Sequence, residues 1–211
     1  NAISVQAVFE TTVISHVKVE IDFPVEGKAA DFEGVVLTNG CQIGLPWGVT
    51  TFHNGIQWFD ETTNSYLIPG DVFESGHSYV LSVGINVQDF HNFNVNEMTG
   101  FVSNIGAVNV TAVGNESKRY YRMLVSNAVT PAEVHDVVIH NGIAYNADGE
   151  QVTSAVAGDQ LTIVANPNPE REFGGWVELS AHGISIDAGN PTVTLTMPNG
   201  DLELQATYAD I

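Results

Sequence analysis

Apolar and polar residues alternate along much of this chain, most densely in its last fifty residues. Leu161, Ile163 and Ala165 are spaced two apart, as are Val193, Leu195 and Met197, and then Leu202, Leu204, Ala206 and Tyr208. Thr, Glu or Gln separates the apolar residues in the two closing runs. A period of two sends successive side chains to opposite faces of an extended backbone, so these runs predict strands with one face buried and one in water. Pro198-Asn-Gly-Asp201 stands between the last two runs. With Gly200 free to take positive φ, the pair predicts an antiparallel hairpin or a tight β corner. Phe173-Gly-Gly-Trp176, upstream of both, predicts an aromatic turn.

The same period organises the first part of the chain. Val17, Val19 and Ile21 alternate until Pro24, which has no N–H for a ladder, and Gly27 permits a turn beyond it. Tyr79, Leu81, Val83, Ile85 and Val87 make the longest alternating run and predict a central strand, with Trp58 and Phe73 as packing partners. Shorter strands are expected at 35–37, 49–52, 56–58, 107–112 and 121–125. The segment around Phe90 and Phe93, rich in His and Asn, and the segment 114–118 predict turns. No stretch from 17 to 125 carries a helical period, and strands at this spacing predict a sandwich. Pro131, in the polar stretch 127–135, marks a domain junction.

The expected fold class is therefore all-β, with two small β domains in tandem. Residues 12–128 are expected to form a β-sandwich-like domain, and residues 129–211 a compact β-grasp-like or small-sheet repeat. Ile3, Val5, Gln6-Ala7 and Phe9 reproduce the phrase Leu202, Leu204, Gln205-Ala206 and Tyr208. Residues 1–11 are accordingly expected to be the last strand of a preceding repeat, or a linker.

Charge removes whole classes of partner. Six Lys plus Arg face 25 Asp plus Glu, a formal net charge of −19. A field of that sign repels a phosphate backbone and an anionic lipid surface, which argues against nucleic acid and membrane adhesion. No run nears the roughly 20 apolar residues that a membrane-spanning helix needs, so no membrane insertion is expected. Cys41 is the single cysteine, which excludes an intramolecular disulfide; near a strand end, it reads as a small apolar residue rather than a reactive thiol.

Candidate chemistry is sparse. The phosphate-cradling, dinucleotide, zinc-protease and nucleophile-elbow motifs do not occur, and no catalytic residue is assigned. Of seven histidines, His135 and His140 with Asp136 come nearest to a cluster, without finger-like spacing. The turn Asp60-Glu61, the pair Asp201 and Glu203, and Glu133 or Asp136 at the junction offer oxygens of the kind calcium takes, without the regular twelve-residue loop. No metal or cofactor is assigned. Aromatic residues are the remaining recognition chemistry: Trp47, Trp58, Phe59 and Tyr66 lie within twenty residues. Trp58 and Trp176 fit a core, leaving Trp47, between Pro46 and Gly48, and Tyr66 as the ligand-binding candidates.

The closing block resembles a known family. Val152 to Ile163 with Gly158-Asp159, Phe173-Gly-Gly-Trp176, Asn190-Pro191, Thr196-Met197-Pro198 with Gly200-Asp201, and Ala206-Thr-Tyr208 together resemble the bacterial surface repeat related to the B-repeat of listerial internalins. More loosely, Gly55 to Asp60, Phe73 to Tyr79 and Tyr79 to Val87 resemble a β domain that accompanies such repeats in exported Gram-positive proteins. The resemblance implies a noncatalytic structural or interaction module, a spacer or stalk, in a secreted or wall-associated bacterial protein. Its expected partners are neighbouring domains of a longer chain. The alternative is an adhesin module that binds glycan or a host or other extracellular protein. On either reading, the chain is expected not to be an enzyme.

Overall fold

The computed structural model describes residues 12–44, 51–88, 91–94, 97–112, 121–187 and 189–210. The expected strand at residues 3–9, the turn at 114–118, Val49 and Trp47 lie outside the described residues. Among those described, every regular element is a β-strand, and no helix is long and apolar enough to cross a membrane. The chain divides into two compact units, Asn1–Pro131 and Ala132–Ile211.

The first unit holds β1 (Thr12–Ile14), β2 (His16–Glu20), β3 (Val35–Val36), β4 (Cys41–Ile43), β5 (Ile56–Asp60), β6 (Ser65–Tyr66), β7 (Tyr79–Val87), β8 (His91–Phe93), β9 (Thr99–Val102), β10 (Gly106–Ala112) and β11 (Tyr121–Val125). Nine of them form one sheet in the order β3-β2-β9-β10-β11-β7-β5-β6, with β4 also pairing with β7. β7 is central, as its alternation predicts: β11 lies on one side, and β5 and β4 share the other. Tyr79, Leu81, Val83 and Ile85 are at most 1% exposed. Phe73 packs edge-on between Trp58 and Tyr79, with ring centroids 5.0 and 4.9 Å apart, the T-shaped geometry that aromatic quadrupoles favour.

One strand carries the sheet from one half to the other. The first three residues of β10 pair with β9 and its last four with β11, so both halves close on one core that includes Val17, Val19, Val102 and Leu124. Gly100 permits the approach, since a Cβ there would lie 2.8 Å from both Leu124 and Val108 side-chain carbons. The segment around Phe93 corrects the sequence reading, which expected a turn: β8 pairs in parallel with β1, and β9 in parallel with β2. Parallel pairing needs a long crossover, and nothing local in a short polar strand reports a partner so distant in sequence.

The second unit is built from β12 (Val134–His140), β13 (Gly142–Tyr145), β14 (Gln151–Val152), β15 (Ser154–Val156), β16 (Gln160–Ala165), β17 (Arg171–Glu178), β18 (Thr192–Thr196) and β19 (Leu202–Asp210). They form two four-stranded sheets, ordered β15-β12-β19-β17 and β14-β13-β16-β18. Val137, Trp176, Leu202, Leu204 and Ala206 from the first share one core with Ala144, Leu161, Ile163, Val193 and Leu195 from the second. The chain passes from one sheet to the other between most successive strands, first at Asn141, which takes φ 56°, and last at the Pro198–Asp201 turn, where Gly200 has φ 148°.

That last crossing excludes the hairpin. β18 pairs with β16, whereas β19 pairs with β12 and β17, so the turn is a corner between layers. Two strands that bury alternate residues into one core read alike whether they are neighbours in a sheet or face each other across it. Phe173-Gly-Gly-Trp176 is likewise not a turn: it lies inside β17 as a bulge, where the register to β19 slips between Phe173 and Gly175. The extra residue re-aims the strand, leaving the Phe173 and Trp176 rings 5.7 Å apart, edge to face.

Leu204 is fully buried on the central strand β19, while its neighbour Gln205 alternates away from the core. Leu204→Ala is expected to cost about 2–5 kcal/mol in urea unfolding followed by circular dichroism, through lost burial and the cavity left behind. Gln205→Ala is expected to stay within about 0.5 kcal/mol of wild type in the same measurement.

Candidate functional site

Tyr66 sits beside a polar groove in the first unit. β5 ends at Asp60, whose Oδ1 accepts the N–H groups of Thr62 and Thr63 at 2.8 and 3.2 Å. Asn64 supplies the left-handed residue at φ 55°, and the chain returns as β6, with Phe59 opposite Tyr66. The two rings lie 5.0 Å apart and tilted, and Tyr66 remains 49% exposed. Asp60, Ser65, Tyr66, Asp71, Glu74 and Tyr79 are among the residues that line the groove, which has a volume of about 430 Å³.

The electrostatics of the groove turn on Asp60, which is 5% exposed. Burial pushes its carboxyl towards the neutral form, yet hydrogen bonds from His77, Thr63 and Thr62 outweigh that and hold its pKa below the ordinary carboxylate value. His77 Nδ1 lies 2.9 Å from Asp60 Oδ2, and its Nε2 lies 3.4 Å from Glu74 Oε2, so one imidazole bridges two carboxylates. The Tyr79 hydroxyl accepts the Glu74 N–H at 2.9 Å. Burial, with the charges of Asp60 and Glu74 adding to it, raises the Tyr79 pKa and keeps the phenol neutral. Asp71 Oδ2 accepts the Ile68 N–H at 2.9 Å, closing the turn on the far lip.

This arrangement offers a half-exposed aromatic ring beside fixed carboxylate and hydroxyl oxygens. Such a surface can stack against the C–H face of a sugar ring or a peptide side chain while accepting hydrogen bonds from hydroxyl or amide groups. Its negative charge disfavours anionic ligands.

The other candidates fall elsewhere. Trp58 is fully buried and donates its indole N–H to the Asp31 carbonyl at 2.9 Å, and Trp176 donates to the Asn190 carbonyl at 3.0 Å. Cys41 is buried, and burial pushes its thiol up to about 11, which leaves it protonated and unreactive near neutral pH. His135, Asp136 and His140 do not converge: His135 meets Asn199 at 3.2 Å, the Asp136 N–H donates to Asp201 Oδ1 at 3.0 Å, and His140 meets Glu203 at 2.7 Å. Residues 135 and 140 are five apart on a strand and so face opposite ways. Among the described residues, no group of three or more His, Cys, Asp or Glu side chains is placed to hold a metal ion.

Sequence reasoning named Tyr66 but missed Asp71, Glu74, His77 and Tyr79 as its neighbours. They arrive from the segment after β6 and from β7, and the only local signal was the polar turn following Asp60.

Comparison with known proteins bears on the second unit. Residues 139–211 match the family of the divergent InlB B-repeat domain. The match runs from the end of β12 through β19, leaving most of β12 and the Tyr66 groove outside it. Neither the curated proteins nor the solved structures yield a match to the chain.

Asp60 binds a proton less readily in the folded chain than in the unfolded one, so its contribution to stability is complete above about pH 4 and lost as pH falls further. Thermal unfolding is expected to report a lower midpoint through that range. Asp60→Asn is expected to remove this component and, at neutral pH, to cost about 1–3 kcal/mol by breaking a buried hydrogen-bond cluster.

Proposed function

We propose that this chain is a noncatalytic structural module, a spacer or stalk, of a bacterial secreted or wall-associated protein. A β-sandwich-like domain up to the junction near Pro131 is followed by one B-repeat. The match of residues 139–211 to a bacterial surface repeat supports the setting. The observation that carries the mechanism is the pairing of the first and last strands of the second unit: β12 and β19 lie side by side and parallel, from Val137 opposite Leu202 to His140 opposite Gln205.

Parallel order decides how the unit takes load. Tension enters at the start of β12 and leaves at the end of β19, at opposite ends of their shared ladder. The two strands are therefore pulled past each other, and the evenly spaced ladder bonds bear the force together. Antiparallel neighbours pulled from adjacent ends would instead open one bond at a time.

Single-molecule stretching tests this directly. Pulled through residues 134 and 210, the second unit is expected to unfold at higher force than when pulled through Arg171 and Asp210, adjacent ends of the antiparallel β17–β19 pair. Equal forces in the two geometries would remove the load-bearing role.

A second reading is favoured by the groove: recognition of a neutral glycan or an extracellular protein beside Tyr66, with Trp47 as a further contact. On a glycan and extracellular-protein array, Tyr66→Ala is expected to lose at least about tenfold in affinity for any ligand the wild type retains, equivalent to roughly 1.4 kcal/mol. Binding undiminished by the substitution would exclude this groove.

A further inference from the structure

We propose that β18 is an open pairing edge on which a second copy of this chain adds its own β18, antiparallel about Thr194. Among the described residues, β18 pairs only with β16. The Pro191 carbonyl accepts from the Ala165 N–H, and Met197 donates to the Asp159 carbonyl, so odd-numbered residues of this strand point their amides at β16. By alternation, the amides of Thr192, Thr194 and Thr196 point outward. The Thr192 N–H is taken by Asn190 Oδ1 at 2.9 Å. Among the described residues, no backbone bond reaches Thr194 or Thr196 from the outer side.

The other edges of this unit are blunted and this one is not. β14 and β15 are two and three residues long. β17 carries a bulge and the charges of Arg171, Glu172 and Glu178. Short length, bulges and charge are the devices by which edge strands avoid pairing with another chain. β18 has five residues, none charged and none proline, and its neighbour β16 has no charged residue either. In a chain of net charge −19, copies repel one another, and these two strands give them an uncharged line of approach.

The occupant is written in the strand itself. Thr-Val-Thr-Leu-Thr reads almost the same in both directions. A two-fold axis through Thr194 sets Thr194 against Thr194, Thr192 against Thr196 and Val193 against Leu195 of the second copy. That is the self-complementarity an isologous contact requires. Thr194 N–H and C=O groups then bond reciprocally, and each Thr196 N–H meets the Thr192 carbonyl left open across the axis. Pro191 and Pro198 bound the pairing window.

The test uses the full chain in sedimentation velocity across a concentration series at low and high salt, with Thr194→Pro and Thr194→Lys. The wild type is expected to dimerise with concentration, more strongly in high salt as repulsion is screened. Each variant is expected to weaken association at least tenfold, with its circular dichroism unchanged. Thr194→Lys retains the backbone N–H and keeps the test decisive should Thr194→Pro fail to fold. Thr194→Cys, placed opposite itself, is expected to form an inter-chain disulfide on mild oxidation, with Thr162→Cys on the adjacent inner strand remaining uncrosslinked. A wild type that stays monomeric at millimolar concentration in high salt, or a dimer indifferent to Thr194→Lys, would overturn the proposal.

Discussion

The parallel ladder between β12 and β19 is the constraint on which the second unit depends. It joins the strand that enters the unit to the strand that leaves it, so the sheet cannot form until the whole intervening chain has been laid down. Val137, Leu202, Leu204 and Ala206 are all at most 4% exposed, placing this ladder at the floor of the core rather than its rim. With β19 fixed, β17 has an edge to add to, and the second sheet has a floor to close over. Pairing so distant in sequence pays its loop-closure entropy before contacts reward it.

The first unit meets the same demand by another route. A single strand, β10, belongs to both halves of the sheet, so the two halves share one core. One of its buried charges is the ionised carboxylate of Asp60, withdrawn from water at the end of β5. Amides of the following turn and the His77 ring replace the lost hydration, and that arrangement fixes the turn presenting Tyr66. The stability of this region and the shape of the groove are thus set by one hydrogen-bond cluster. The ring that sequence reasoning singled out is exposed because Asp60 holds the turn beneath it.

Acidity, edges and load fit one picture. Dense negative charge keeps copies of such a chain apart, and most strand ends are short, bulged or charged. Against that background the bare threonine edge of β18 stands out, because it lacks the devices its neighbours carry. A chain that meets a second copy through one uncharged strand, about a two-fold axis, would close at a pair.

The alternation of apolar residues was legible because burial on one face imposes a period of two whatever the partner. It located β7, β16, β18 and β19, identified Trp58 and Trp176 as core residues, and set the all-β character of both units. What it left open was pairing, because a strand's period reports which face is buried and says nothing of which strand lies beside it. Only the tertiary structure made Pro198–Asp201 a corner between sheets, turned Phe173-Gly-Gly-Trp176 into a bulge, recruited Phe93 into a parallel pair, and gathered Asp71, Glu74 and His77 around Tyr66. Each of those outcomes rests on hydrogen bonds between residues far apart in the chain, and such bonds leave no local trace in the order of side chains.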